Sequence, residues 1–125
     1  MKASLFERVG GFARVRLMVS DLYDRILESE RLGPYFQGID VRHLIDHQTK
    51  FVSSLMGGPA SFTNEQLTRA HARLRISPEE FDEMAGHFRE VLEDFQVPDA
   101  EVERLHAHVL SLREHVVGNG RIGVR

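Results

Sequence analysis

The sequence has no cysteine among its 125 residues, and it has no large excess of either charge, since 19 acidic residues face 16 basic ones. The missing cysteine excludes disulfides, zinc–thiolate sites, iron–sulfur clusters and thiol nucleophiles. A net charge of only −3 gives no sign of a nucleic-acid-binding surface. No apolar run approaches the length of a membrane span, and Glu7 and Arg8 come too early for the apolar core of a signal peptide. We therefore expect a cytoplasmic protein that binds neither nucleic acid nor membrane.

No segment alternates apolar and polar residues with a period of two, so the sequence predicts no strand. Apolar residues recur instead at three- and four-residue steps, above all in residues 12–30, 41–56 and 78–95. Ser4 with Glu7 and Ser77 with Glu80 have the spacing of capping boxes, and Asp40 is a good N-cap. The pattern predicts one all-α domain of about six helices over residues 1–117. A flexible, glycine-rich tail is expected at residues 118–125.

The predicted helices are separated by glycine and proline. Gly10-Gly11 ends the short first helix, and Gly33-Pro34 marks a tight turn. Gly57-Gly58-Pro59 stops the helix of residues 41–56. A further short helix is expected over residues 62–74, and one last helix is expected to run from Pro98 to about Val116.

Tyr23, Gln48 and His71 are polar residues on helical faces that are otherwise apolar, given about 100° of rotation per residue. Burying each of them unpaired would cost about 1–3 kcal/mol. They either satisfy one another or a backbone carbonyl, or they converge on a polar ligand in an apolar pocket. His71 carries the imidazole that proteins use most often as a metal ligand. The residues alone leave these alternatives open.

Several short motifs occur in the order and at the spacing of one known family. They are Gly10-Gly11, Leu22-Tyr23-x-Arg25-x-Leu27, Tyr35-Phe36, His47-Gln48-x-x-Phe51, Gly57-Gly58-Pro59, Ala70-His71 and Val97-Pro98. Over about residues 5–117 the sequence resembles the group I truncated haemoglobins. The resemblance implies an all-α truncated-globin fold, a two-over-two helical sandwich around haem b.

The resemblance also implies roles for individual residues. His71 would be the proximal iron ligand, and Tyr23 and Gln48 would form a distal pair that donates hydrogen bonds to a bound gas carrying partial negative charge. For Tyr23 the alternative is a hydroxyl bonded to a helix carbonyl, and for the apolar residues it is ordinary core packing. The residues expected against the cofactor are Phe36, Leu44, His47, Phe51, Phe62, Leu67, His71, Leu74, Ile76, Phe81, Met84 and Phe88.

His47 has two alternatives, because it lies about 60° around its helix from Leu44, at the margin of the expected haem-facing stripe. Its imidazole either turns outward towards a haem propionate or binds the sixth position of the iron when no gas is present. The resemblance slightly favours the second arrangement, since part of the family has such a histidine. Ligation by both His71 and His47 would lower gas affinity, because only the open fraction binds.

By resemblance, the expected function is binding of dioxygen, carbon monoxide and nitric oxide, with conversion of nitric oxide to nitrate. That activity needs an external reductase, and we expect a monomer or weak dimer. The alternatives are a haem-based gas sensor and an electron-transfer module with bis-histidine iron. A helical interaction module without a cofactor is the alternative outside the haem class, and the absence of a Soret band would identify it.

Overall fold

The computed structural model describes residues 3–59, 66 and 76–117, and the structural statements below refer to these residues. The predicted haem contacts Phe62, Leu67, His71 and Leu74 and the predicted tail at 118–125 lie outside them. The described residues form six α-helices and a four-residue 3₁₀ helix, Gly33–Phe36. The α-helices are α1 Leu5–Val9, α2 Gly11–Glu28, α3 Val41–Leu55, α4 Pro78–Asp94, α5 Asp99–Ser111 and α6 Arg113–Val116.

The predicted helix starts are confirmed by their capping bonds. The Ser4 hydroxyl accepts from the Glu7 backbone N–H at 3.1 Å, and the Glu7 carboxylate accepts from the Ser4 N–H at 3.2 Å. Ser77 and Glu80 exchange the same two bonds at 3.0 Å each. Each box satisfies two N–H groups that the first turn of a helix leaves without an intrahelical partner.

Two predicted boundaries differ from the structure. The turn expected at Gly33-Pro34 is a 3₁₀ helix, and a Cβ at Gly33 would lie only 2.7 Å from the Leu27 carbonyl oxygen. Glycine therefore lets this turn pass close to the end of α2. The prediction of a single last helix is wrong, because the helix breaks at Leu112 and resumes as α6. The second half then packs Val116 into a small cluster with Ile76 and Phe81.

The helices pack as two pairs, α2 with α3 and α4 with α5, and α2 also packs against α4. This arrangement is the two-over-two sandwich. Burial of apolar surface from α2, α4 and α5 in one core stabilises it. The core residues of these three helices include Val15, Met18, Val19, Leu22, Ile26, Val91, Leu92, Val102 and Leu105. Within the described part of the chain, no helix is long and apolar enough to cross a membrane.

Helix α3 presents two different faces to the rest of the molecule. Its fully buried residues are Thr49, Val52 and Ser53. Another face of the helix contains Gln48 and Phe51 and is only half-buried. The half-buried face borders a cavity, so the apolar periodicity of α3 marks a site as well as a core.

Candidate functional site

A small cavity of about 60 Å³, partly open to solvent, lies between α2, α3, α4 and α5. Among the described residues, apolar side chains make up most of its wall, and Tyr23 and Gln48 are the two polar residues. The lining residues are Leu22, Tyr23, Gln48, Phe51, Val52, Leu55, Met84, Ala85, Phe88 and Val109. A concave apolar site with a small number of polar groups has the general form of a small-molecule site.

Tyr23 is placed in the cavity wall by α2 and is 7% exposed. Among the described residues, no group accepts a hydrogen bond from its hydroxyl, so the alternative of a bond to a carbonyl of its own helix is not realised. Burial raises the pKa of the Tyr23 phenol, which therefore keeps its proton at neutral pH. The result is a buried O–H donor next to an apolar cavity.

Phe36 supports the Tyr23 ring from the 3₁₀ helix. The two ring centroids lie 5.7 Å apart at an interplanar angle of 87°. This edge-to-face contact is a favourable arrangement for two aromatic rings. It restricts the positions that the phenol can take.

Gln48 reaches the same cavity from α3 and is half-buried. Its amide supplies N–H donors, as the phenol does. The α4 and α5 side of the cavity consists of Met84, Ala85, Phe88 and Val109, none of which has a side-chain donor. Among the described lining residues, the donors are therefore confined to the α2 and α3 side.

The structure brings five of the predicted site residues into this one cavity: Tyr23, Gln48, Phe51, Met84 and Phe88. Phe36 and Leu44 pack against the same core but do not line the cavity. Ile76 and Phe81 lie in the small cluster with Val116, which Phe51 and Met84 also contact. Phe51 and Met84 thus connect the cavity to that cluster.

His47 is exposed on α3 and is not part of the cavity wall. Its neighbour in sequence, Gln48, takes the position that borders the cavity. For His47 to bind an iron in the cavity, α3 would have to shift. The observed placement therefore favours the outward alternative, and internal ligation stays the competing hypothesis.

Sequence reasoning did not assign five of the lining residues to the site: Leu22, Val52, Leu55, Ala85 and Val109. Leu55, Ala85 and Val109 lie on apolar helical faces that the periodicity identified. An apolar side chain that faces a ligand has the same sequence signal as one that faces the core. Knowledge of which helices border the cavity was needed to separate the two.

The chemistry of the described lining residues suits the cofactor that the sequence resemblance implies. The Tyr23 hydroxyl borders the cavity without an acceptor among the described residues, so a ligand in the cavity could accept its hydrogen bond. A haem with a gas on one face would supply that acceptor, and the apolar wall suits a porphyrin. His71, the predicted proximal ligand, lies outside the described residues.

Comparison with known proteins identifies the family of the chain. The family model of the bacterial-like globins matches residues 4–118. A group 1 truncated haemoglobin of Mycolicibacterium paratuberculosis is 27% identical over 114 residues, 91% of this chain and 84% of that protein. The group 1 truncated haemoglobin of Tetrahymena pyriformis is 25% identical over 115 residues, 92% of this chain and 95% of that protein.

Solved structures give the same result for the fold. The 2/2 haemoglobin of Synechococcus, in the cyanomet state with covalently attached haem, has a TM-score of 0.84 at 27% identity, covering 92% of this chain and 98% of that one. The Fe(III) form of Tetrahymena pyriformis truncated haemoglobin has a TM-score of 0.82 at 25% identity, covering 94% and 100%. The chain therefore belongs to the bacterial-like globins and is a group I truncated globin, a family whose members bind haem and, through it, diatomic gases.

Proposed function

We propose that the chain binds haem b in this cavity, with His71 as proximal ligand, and holds dioxygen through Tyr23 and Gln48. Carbon monoxide and nitric oxide would bind at the same place. The observation that carries the proposal is the buried, unpartnered Tyr23 phenol in an otherwise apolar wall. Haem would supply the iron that binds the gas. The same iron would supply the one electron that is needed when nitric oxide and dioxygen combine to form nitrate.

The chain's own residues would do three things in this site. The Tyr23 hydroxyl donates a hydrogen bond towards a gas that carries partial negative charge, and the Gln48 amide gives a second. Met84, Phe88 and Val109 contribute apolar surface without side-chain donors on the side of α4 and α5. An apolar wall also strengthens the hydrogen bonds by lowering the local dielectric constant.

The activity that we propose beyond gas binding is conversion of nitric oxide to nitrate. Two donors that slow the escape of dioxygen keep it available for nitric oxide, which supports this activity over simple release. An external reductase would return the electron after each turnover. Nitrate formation by the purified protein with a reducing system and both gases is the assay. Recovery of nitric oxide without nitrate would contradict this part of the proposal.

The test of haem binding is the visible spectrum of purified protein in the ferric, ferrous and carbon-monoxide forms. We expect a Soret band that moves on reduction and again on addition of carbon monoxide. His71→Ala is expected to abolish stable haem uptake or to reduce it severely. His43→Ala is the matched control, because His43 is exposed on α3 and outside the cavity wall.

Each outcome of this experiment decides a different part of the proposal. A wild-type protein that takes up no haem would contradict the proposal and favour a helical module without a cofactor. Full haem content and an unchanged spectrum in His71→Ala would show that the chain binds haem through a proximal ligand other than His71.

A further inference from the structure

Two carboxylates near the start of α4 hold the chain between α2 and the 3₁₀ helix. The Tyr35 hydroxyl donates to Glu80 Oε1 at 2.5 Å. One turn further along α4, Glu83 Oε2 accepts from the Ser29 hydroxyl at 2.6 Å. Ser29 Oγ itself accepts from two backbone N–H groups of the same turn. Both ends of the connection between α2 and the 3₁₀ helix are therefore attached to α4.

Glu80 Oε1 makes a second contact that links this turn to another part of the chain. The same oxygen accepts from the Ser77 backbone N–H at 3.0 Å, as part of the capping box of α4. Ser77 follows the segment that carries His71 by a few residues in sequence. One carboxylate oxygen thus joins the start of α4 to the 3₁₀ helix.

The 3₁₀ helix connects the Glu80 contact to the cavity wall. Tyr35 and Phe36 are adjacent in it, and Phe36 contacts the Tyr23 ring edge-to-face at 5.7 Å. A continuous path therefore runs from Glu80 through Tyr35 and Phe36 to Tyr23. Side chains along such a path restrict one another's rotamers when each is held by a specific contact.

We infer that Glu80 and Tyr35 are positioning residues for the Tyr23 hydroxyl: their hydrogen bond holds Phe36 against Tyr23 and so fixes the phenol in the cavity. The inference rests on the proposed function, since its consequence is slower release of dioxygen. Neither residue is among the described residues that line the cavity, so the effect that we infer runs through Phe36 and Tyr23. Loss of the Tyr35 hydroxyl lets the 3₁₀ helix move and weakens the hydrogen bond that Tyr23 gives to the gas.

The experiment compares dioxygen and carbon monoxide release from the ferrous protein by stopped flow. Tyr35→Phe removes one hydroxyl and keeps the ring, and we expect it to speed dioxygen release about three- to tenfold with a smaller change for carbon monoxide. Glu80→Gln keeps an acceptor for the capping box and should have a smaller effect in the same direction. Asp82→Asn is the matched control on the same turn of α4, because Asp82 pairs with Arg113 of α6, and it should leave release unchanged.

A double-mutant cycle separates positioning from general loosening of the fold. In a Tyr23→Phe background, Tyr35→Phe should have no further effect on dioxygen release, because the group it positions is gone. Equal effects in the two backgrounds would overturn the inference. So would a Tyr35→Phe rate equal to that of the wild type when Tyr23→Phe alone speeds release.

A second readout does not depend on gas release. The chain has two tyrosines, so tyrosine-labelled Tyr35→Phe protein gives the ring signals of Tyr23 alone. In the carbon-monoxide form, we expect these signals to move from their wild-type positions, and Asp82→Asn to leave them in place. Unmoved Tyr23 signals in Tyr35→Phe would overturn the inference. If Tyr23→Phe itself leaves dioxygen release unchanged, the donor role in the proposed function fails, and the inference fails with it for that separate reason.

Discussion

The cavity and the turn beside it each hold one of the chain's two tyrosines, in opposite environments. Tyr35 is half-buried and its hydroxyl is bonded to Glu80 at 2.5 Å. Tyr23 is more deeply buried, and its hydroxyl has no acceptor in the described ranges 3–59 and 76–117. A satisfied phenol contributes to stability, whereas an unsatisfied one carries a cost that a ligand can remove. The difference indicates that Tyr23 is the candidate donor to a ligand, whereas Tyr35 holds the turn beside it.

The largest effect is expected on dioxygen release in Tyr23→Phe. A hydrogen bond to a partly charged ligand is worth about 1.5–3 kcal/mol, which corresponds to roughly ten- to a hundredfold faster release. Bound carbon monoxide is less polar and should respond much less. Stopped-flow release of both gases from the ferrous protein is the measurement. Equal acceleration of the two gases would contradict a donor role for Tyr23.

For stability, we expect the order of the two variants to be reversed, with the larger effect in Tyr35→Phe. Tyr35→Phe is expected to lower the free energy of unfolding by about 1–2 kcal/mol, because it removes a hydrogen bond to a carboxylate. Tyr23→Phe should change it by less than about 0.5 kcal/mol, since no protein partner is lost. Urea unfolding of both variants, measured without bound gas, makes the comparison. A larger loss in Tyr23→Phe than in Tyr35→Phe would show that the assignment of the two roles is reversed.

A smaller effect is expected from acid. The bond from the Ser77 N–H, and then that from Tyr35, lower the pKa of Glu80 from its ordinary 4.5. A carboxyl whose folded-state pKa is lowered stabilises the fold above its ordinary pKa, and this contribution is lost as pH falls through the lower value. The free energy of unfolding of the wild type should therefore fall as pH drops below about 4.5. In Glu80→Gln it should fall less steeply over the same pH range. Tyr23→Phe should follow the wild-type slope, and equal slopes in wild type and Glu80→Gln would contradict the assignment.

The smallest effect is expected from His47→Leu. Because His47 is exposed and outside the cavity wall, the ferric and ferrous spectra without added gas should stay close to those of the wild type. Conversion of a low-spin wild type to high spin by this substitution would show instead that His47 enters the cavity and binds the iron.

The sequence predicted the features that depend on neighbours within four residues. The capping boxes at Ser4 and Ser77 and the N-cap at Asp40 are in place, because each uses a side chain and an N–H three positions apart. The break at Leu112 could not be predicted in this way, because no glycine or proline lies next to it. It allows Val116 to reach the cluster with Ile76, and that contact depends on the tertiary fold.

The site was predictable to a different degree in its polar and apolar parts. Tyr23 and Gln48 stand out in the sequence because polar residues on apolar faces require a partner. Ala85 and Val109 could not be separated from core residues, since their environment is set by which helices border the cavity. The contact between Tyr35 and Glu80 joins residues 45 positions apart, and no local pattern indicates it.

The most direct test of the central claim is the C–O stretching frequency of the carbon-monoxide complex, recorded by infrared spectroscopy for wild type, Tyr23→Phe and Tyr35→Phe. A donor close to the bound gas lowers this frequency, so we expect a shift to higher frequency in Tyr23→Phe. A smaller shift in the same direction is predicted for Tyr35→Phe. An identical band in the wild type and Tyr23→Phe would contradict the claim that the buried phenol donates to the gas.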